Sequence, residues 1–133
     1  ARIGFRQQEM THIMENIIYN ELILRGYSVD VGVVEYQYRD REKKKTKVQL
    51  EVDFIAKNAG DTIYIQSAFH IDNDAKREQE INSLKRINDS FSKVVIVREH
   101  IMPYKDENGI LFIGLMEFLL GDDSFRSHQG RFV

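Results

Sequence analysis

The chain has 133 residues, of which 42% are hydrophobic and 30% charged, one domain's worth of ordinary globular composition. A formal net charge of −2 argues against a dedicated high-affinity nucleic-acid coat, though not against a local basic patch. The absence of cysteine excludes disulfides, thiolate metal sites and a cysteine nucleophile, and makes a cytoplasmic location the default. No apolar run approaches the roughly 18–20 residues of a membrane span, and no signal peptide is visible.

Residues 6–25 carry Met10, Ile13, Met14, Ile17, Ile18, Leu22 and Leu24 at helical spacing, which predicts a long helix with a broad apolar stripe. Gly26 follows the last periodic residue and is a good C-terminal stop. At about 100° per residue, Glu15 falls on one edge of the stripe and Glu21 near its centre. A carboxylate inside an apolar stripe is either paired or functional. For Glu21 the plain reading is a salt bridge to Arg25, four residues on. For Glu15 it is a partly solvated helix edge.

Tyr27, Val29, Val31 and Val33 alternate with Ser28, Asp30 and Gly32, which predicts a strand over 27–38. Residues 39–47 hold six basic and two acidic side chains, a solvated hairpin tip in the plain reading and a phosphate-contacting loop in the sharper one. A second strand is expected over 48–56, a turn over 57–61 and a third strand over 62–69. So short a connection predicts an antiparallel hairpin. With a period of two, Glu51, Asp53 and Lys57 should share one face of the second strand, and Gln66, Ala68 and His70 one face of the third and its extension.

Asp72–Asn73–Asp74 is a cluster of N-cap residues, and Ile81, Leu84, Ile87 and Phe91 form the narrow stripe of a more polar helix reaching about Ser90. Val94–Val95–Ile96–Val97 is a continuous apolar run, the pattern of a strand buried on both faces and paired in parallel. Residues 110–113 read as another short strand, and Leu115 to Leu120 as a short helix stopped by Gly121. Residues 1–121 therefore make one α/β domain, a mixed sheet flanked by helices, and 122–133 an irregular tail.

A helix with an edge carboxylate, a strand with an aspartate and a strand with Gln66–Ser67–Ala68, in the order α-β-β-β-α-β, resembles the PD-(D/E)XK, restriction-endonuclease-like core. The match is more specific over Glu15–Asn16–Ile17–Ile18–Tyr19–Asn20–Glu21–Leu22, Arg25–Gly26–Tyr27, Val31–Gly32, Glu51–Val52–Asp53–Phe54–Ile55–Ala56, Ile63–Tyr64–Ile65–Gln66, Arg77–Glu78, Leu84, Ile87 and Lys93–Val94–Val95. There the chain is similar to the C-terminal domain that follows the AAA-type ATPase core in a family of prokaryotic ATPases of unknown function.

The resemblance implies that Glu15, with Glu21 as second choice, Asp53 and Gln66 would supply oxygen ligands to Mg²⁺, which prefers such ligands. It also implies a lysine that activates water, but Ala68 stands at that position, with Lys57 and His70 as candidate substitutes. No G-x-x-x-x-G-K-[ST] loop is present, so any ATP binding would belong to an N-terminal ATPase domain outside these residues.

Three functions follow as expectations. The first is a catalytically degenerate, nuclease-like accessory domain that recognises DNA or a partner for its ATPase. The second is a Mg²⁺-dependent nuclease with a migrated lysine. The third is a pure protein-interaction module, in which the polar cluster is structural and the chain self-associates as a homo-oligomer.

Overall fold

The computed structural model describes residues 2–68, 74–87 and 89–121. Helix α1 (Arg2–Leu24) leads into strands β1 (Ser28–Arg39), β2 (Lys45–Asn58) and β3 (Asp61–Ala68). Helix α2 (Asp74–Arg86) follows, then β4 (Ser92–Val97), β5 (Tyr104–Lys105), β6 (Leu111–Gly114) and α3 (Leu115–Leu120). The six strands form one sheet in the order β1-β2-β3-β4-β6-β5. β1, β2 and β3 pair antiparallel, β3, β4 and β6 pair in parallel, and β5 closes the far edge antiparallel to β6. The run Val94–Val97 is buried, as its pattern predicts, because β4 lies between β3 and β6 with helices on both sides.

Alternation sorts the sheet's side chains into two cores. On one face Ile63, Ile65, Val94, Ile96, Leu111 and Ile113 pack with Met14, Ile18 and Leu22 of α1 and Phe118 of α3. On the other, Tyr64, Ala68, Val95, Val97 and Phe112 pack with Ile81 and Leu84 of α2. Each large apolar side chain fully buried this way contributes roughly 1.5–3 kcal/mol.

Four features depart from the sequence expectations. Helix α1 starts earlier, at Arg2, and its buried stripe is narrow. Met14, Ile18 and Leu22 are buried, whereas Met10, Ile13, Ile17 and Leu24 are 42%, 56%, 37% and 81% exposed. A helix lying on a flat sheet inserts one row spaced by four residues, and none of the described residues covers the adjacent row. β5 has only two residues, both exposed, so no alternation announced it. β2 starts at Lys45, so the β1–β2 hairpin is longer than expected.

The fourth departure lies in the β1–β2 register. Asp30 pairs with Ile55 but Gly32 with Val52, so Val31 alone opposes Asp53 and Phe54. This is a β-bulge, and it reverses which parity faces which helix. Leu50 and Val52 belong to the α2 core, yet Phe54 and Ala56 belong to the α1 core. Gly32, beside the bulge, has φ +139, a conformation that side-chain-bearing residues rarely adopt.

The Asp72–Asn73 part of the expected cap, His70 and the tail 122–133 lie outside the described residues. Among the described residues, no helix is long and apolar enough to cross a membrane.

Candidate functional site

The bulge presents Asp53 and Phe54 together on the α1 face. There they line a cavity of about 410 Å³ with Glu15, Asn16 and Tyr19 of α1 and Val31 of β1. Glu15, Asn16 and Tyr19 fall within one turn of helix, at the edge of the stripe that α1 buries. The Tyr19 ring lies 6.3 Å from that of Phe54, which forms the apolar wall. Glu15 is 30% exposed in its side chain and sits 3.6 Å from His12 Nδ1, one helical turn back. The structure thus brings two predicted site residues, Glu15 and Asp53, to one cavity.

Gln66 reaches Asp53 by a different route. The backbone ladder between β2 and β3 ends at the Phe54–Ile65 pair. One step further, side chains stitch the strands. The Asp53 N–H donates to Gln66 Oε1 at 2.9 Å, and the Ser67 N–H donates to Asp53 Oδ2 at 2.7 Å. These bonds serve main-chain donors that the ladder no longer serves, and an unserved buried N–H is costly. Ile65 lies in the α1 core and Tyr64 and Ala68 in the α2 core, so alternation puts Gln66 on the α2 face and Ser67 on the α1 face. Gln66 therefore enters the fork from the face opposite Asp53. The Ser67 hydroxyl is buried and has no hydrogen-bond partner among the described residues.

Ala68, where the resemblance expects a lysine, and the candidate substitute Lys57 lie elsewhere. Ala68 is 1% exposed and packed in the α2 core, facing away from Asp53. The expectation that Lys57 shares a face with Asp53 is corrected by the bulge. Ile55 packs on the α2 side, and Lys57, two residues on, shares that side. Its ammonium stands 3.9 Å from Asp30 Oδ2, and Asp30 is the residue opposite Ile55. Glu21, the second choice for the helix carboxylate, is held by Arg25 Nε at 2.8 Å, the salt bridge its spacing predicts. Arg25 also donates to the Phe118 and Gly121 carbonyls at 2.6 and 3.0 Å, so this pair ties α1 to α3.

None of the six lining residues is basic. Among the described residues that line it, the cavity sets two carboxylates and no lysine, a lining that repels a phosphodiester. Nor does the donor set fit a resident Mg²⁺, which takes near-octahedral oxygen coordination. One Asp53 oxygen and the Gln66 carbonyl serve main-chain donors, and the described residues hold no group of three or more acidic or histidine side chains placed for a metal ion. What the cavity offers is an acidic, partly aromatic pocket that accepts hydrogen bonds.

Sequence reasoning missed Asn16, Tyr19, Val31 and Phe54 as cavity residues. The signal that could have found them is Gly32: a glycine inside a strand marks a bulge, and a bulge re-aims the residues across from it.

A second polar cluster lies on the α2 side. The Tyr64 hydroxyl donates to Asp89 Oδ2 at 2.8 Å, Lys93 Nζ stands 3.1 Å from Asp89 Oδ1, and Phe91 meets the Tyr64 ring edge-on. Burial, then the hydrogen bond and negative charge of Asp89, push the Tyr64 phenol up to about 12.

The fold and cavity define a mixed α/β domain whose acidic pocket is built on a bulged hairpin. Residues 10–118 match the family described as a domain of unknown function, DUF4143, and the chain belongs to that family. An uncharacterized protein of Haemophilus influenzae is 31% identical over 118 residues, which cover 89% of this chain. The match spans 25% of that relative's own length. No solved structure matches the chain.

Proposed function

We propose that this domain is a restriction-endonuclease-like core that no longer hydrolyses phosphodiesters and that serves a larger protein in recognising nucleic acid. The observation that carries this reading is the lysine position. Ala68 fills it with a buried methyl group on the face opposite Asp53, and Lys57 is on that opposite face too, beside Asp30. Loss of such a catalytic group typically costs on the order of 10²–10⁴ in rate. Asp53 and Gln66 then act as the stitch that joins β2 to β3 where their ladder ends. The order of elements, one helix followed by a three-strand antiparallel unit and a parallel crossover, agrees with the nuclease-like core. The three-quarters of the H. influenzae relative that lie outside the match leave room for the ATPase core that the resemblance implies.

The test is incubation of the purified protein with plasmid and branched DNA in Mg²⁺ or Mn²⁺. Salt-sensitive binding without cleavage is the expected result. Metal-dependent cleavage that disappears in Asp53→Asn would overturn it.

One observation favours a second reading, a protein-interaction module. Met10, Ile13, Ile17 and Leu24 form an exposed apolar row along α1, beside the buried row. Concentration-dependent self-association abolished by Ile13→Ser with Ile17→Ser, without DNA binding, would favour it.

A further inference from the structure

The ladder from β2 to β3 stops at Phe54, but the ladder from β2 to β1 runs on from Gly32–Val52 to Arg39–Lys45. No other described strand pairs with this stretch. The hairpin therefore continues beyond the sheet as a two-stranded ribbon of eight residue pairs, roughly 25 Å long at about 3.3 Å per residue. Its turn is held by Asp40, whose Oδ1 accepts the Glu42 and Lys44 N–H groups at 2.9 and 3.0 Å. One of the tip's two acidic side chains is thus occupied with the backbone.

Charge is concentrated there. Residues 39–47 hold Arg39, Arg41, Lys43, Lys44, Lys45 and Lys47 against Asp40 and Glu42, a net of +4. The whole chain carries −2, so everything outside those nine residues sums to −6. The pairs Lys44–Glu42 and Lys47–Glu35, at 3.9 and 3.7 Å, are exposed and leave the field largely in place.

The cations are also ordered. Residues directly opposite in the ladder share a face, so Arg39 with Lys45, Gln37 with Lys47, and Glu35 with Gln49 line one side. Val52 belongs to the α2 core, so this row lies on the other side, the one that carries Val31, Asp53 and the cavity. All six side chains are exposed.

We propose that this ribbon is a docking element for duplex DNA. Lys45, Lys47 and Arg39 would contact phosphates, and the ribbon would lie in or along the major groove, about 12 Å wide and able to admit a two-stranded β-ribbon. The glutamines add neutral hydrogen-bonding groups between the cations. Among the ribbon side chains described, Val33 alone is large, apolar and exposed, and one such side chain is little for insertion into an anionic bilayer. The proposal deepens the recognition reading and rests on it for the class of partner, while the surface is distinct from the acidic cavity.

The test is fluorescence anisotropy of a labelled 20-base-pair DNA duplex with the purified protein, from 50 to 200 mM salt. The comparison is Arg39→Gln/Lys45→Gln/Lys47→Gln against Lys57→Gln, a cation on the opposite face. Each phosphate contact contributes about 0.9 to the slope of log affinity against log salt, so the triple variant should lose about 2.7 in slope and at least about tenfold in affinity at the low-salt end. Lys57→Gln should bind like wild type, and circular dichroism should be unchanged in both. Equal binding by wild type and triple variant would overturn the ribbon assignment while leaving the recognition reading standing. Binding to phosphatidylserine vesicles but not to duplex would overturn the choice of partner. Metal-dependent cleavage counts against the degenerate-nuclease reading alone.

Discussion

Asp53→Ala removes the acceptor for the Ser67 N–H, and its consequence is a loss of stability. The bond is short, 2.7 Å, the acceptor is a carboxylate, and the residue that donates is 7% exposed. Water has little access to replace the lost partner. A buried donor left unserved costs about 1–3 kcal/mol, and the charged acceptor places this case near 2 kcal/mol. At about 4 °C per kcal/mol for a domain of this size, the melting temperature should fall by roughly 8 °C. Asp53→Asn keeps an oxygen in place and should cost less than about 1 kcal/mol. Urea unfolding followed by circular dichroism measures both, and an unchanged m-value would show that the denatured state is the same. If Asp53→Ala unfolds within about 0.5 kcal/mol of wild type, the carboxylate is not stitching the fork and the structural role assigned to it is wrong.

Placing a lysine where the proposed nuclease-like core would carry one should fail structurally: Ala68→Lys puts an ammonium into the α2 core at a site 1% exposed, costing several kcal/mol, seen as a collapsed urea midpoint with no cleavage gained. Neighbours on α1 should differ sharply. Ile18→Ala, at a fully buried site, should cost about 2–5 kcal/mol, whereas Ile17→Ser, on the exposed row, should stay within about 0.5 kcal/mol in the same assay. Tyr64→Phe should lose about 1–2 kcal/mol at neutral pH through the bond to Asp89. The folded phenol titrates near 12 against an ordinary 10.0, so its contribution is full below pH 10 and is lost as pH rises through 12. The wild type should therefore destabilise more steeply than Tyr64→Phe over that window in pH-jump unfolding.

Much of the fold was legible because its signals are local or periodic. The run Val94–Val97 has no polar alternative, so burial on both faces follows from composition alone. Glu21 and Arg25 are one turn apart on a helix, and their pairing needs no tertiary information. The two-residue turn at Ala59–Gly60, with φ of +49 and +93, is the kind that a tight antiparallel hairpin demands.

The site was less legible, for a geometric reason. Leu50, Val52, Phe54 and Ala56 keep a regular period of two straight through the bulge, yet the first pair faces α2 and the second faces α1. Both faces of the sheet are apolar there, so a shift in parity changes no hydrophobic match. The inference that Lys57 could assist Asp53 failed at that step, because it counted residues across a bulge that only Gly32 announces. The width of the α1 stripe failed differently. Periodicity reports which residues could be buried, and the flat sheet beneath decides how many are.

The central claim is that this core binds without cutting. The most direct measurement is cleavage of supercoiled plasmid DNA by wild type and Asp53→Asn in Mn²⁺, with folding of both confirmed by circular dichroism. The acidic cavity, with Ala68 and Lys57 both on the opposite face of the sheet, predicts no cleavage above background in either protein. Cleavage by wild type that is lost in a folded Asp53→Asn protein would contradict it.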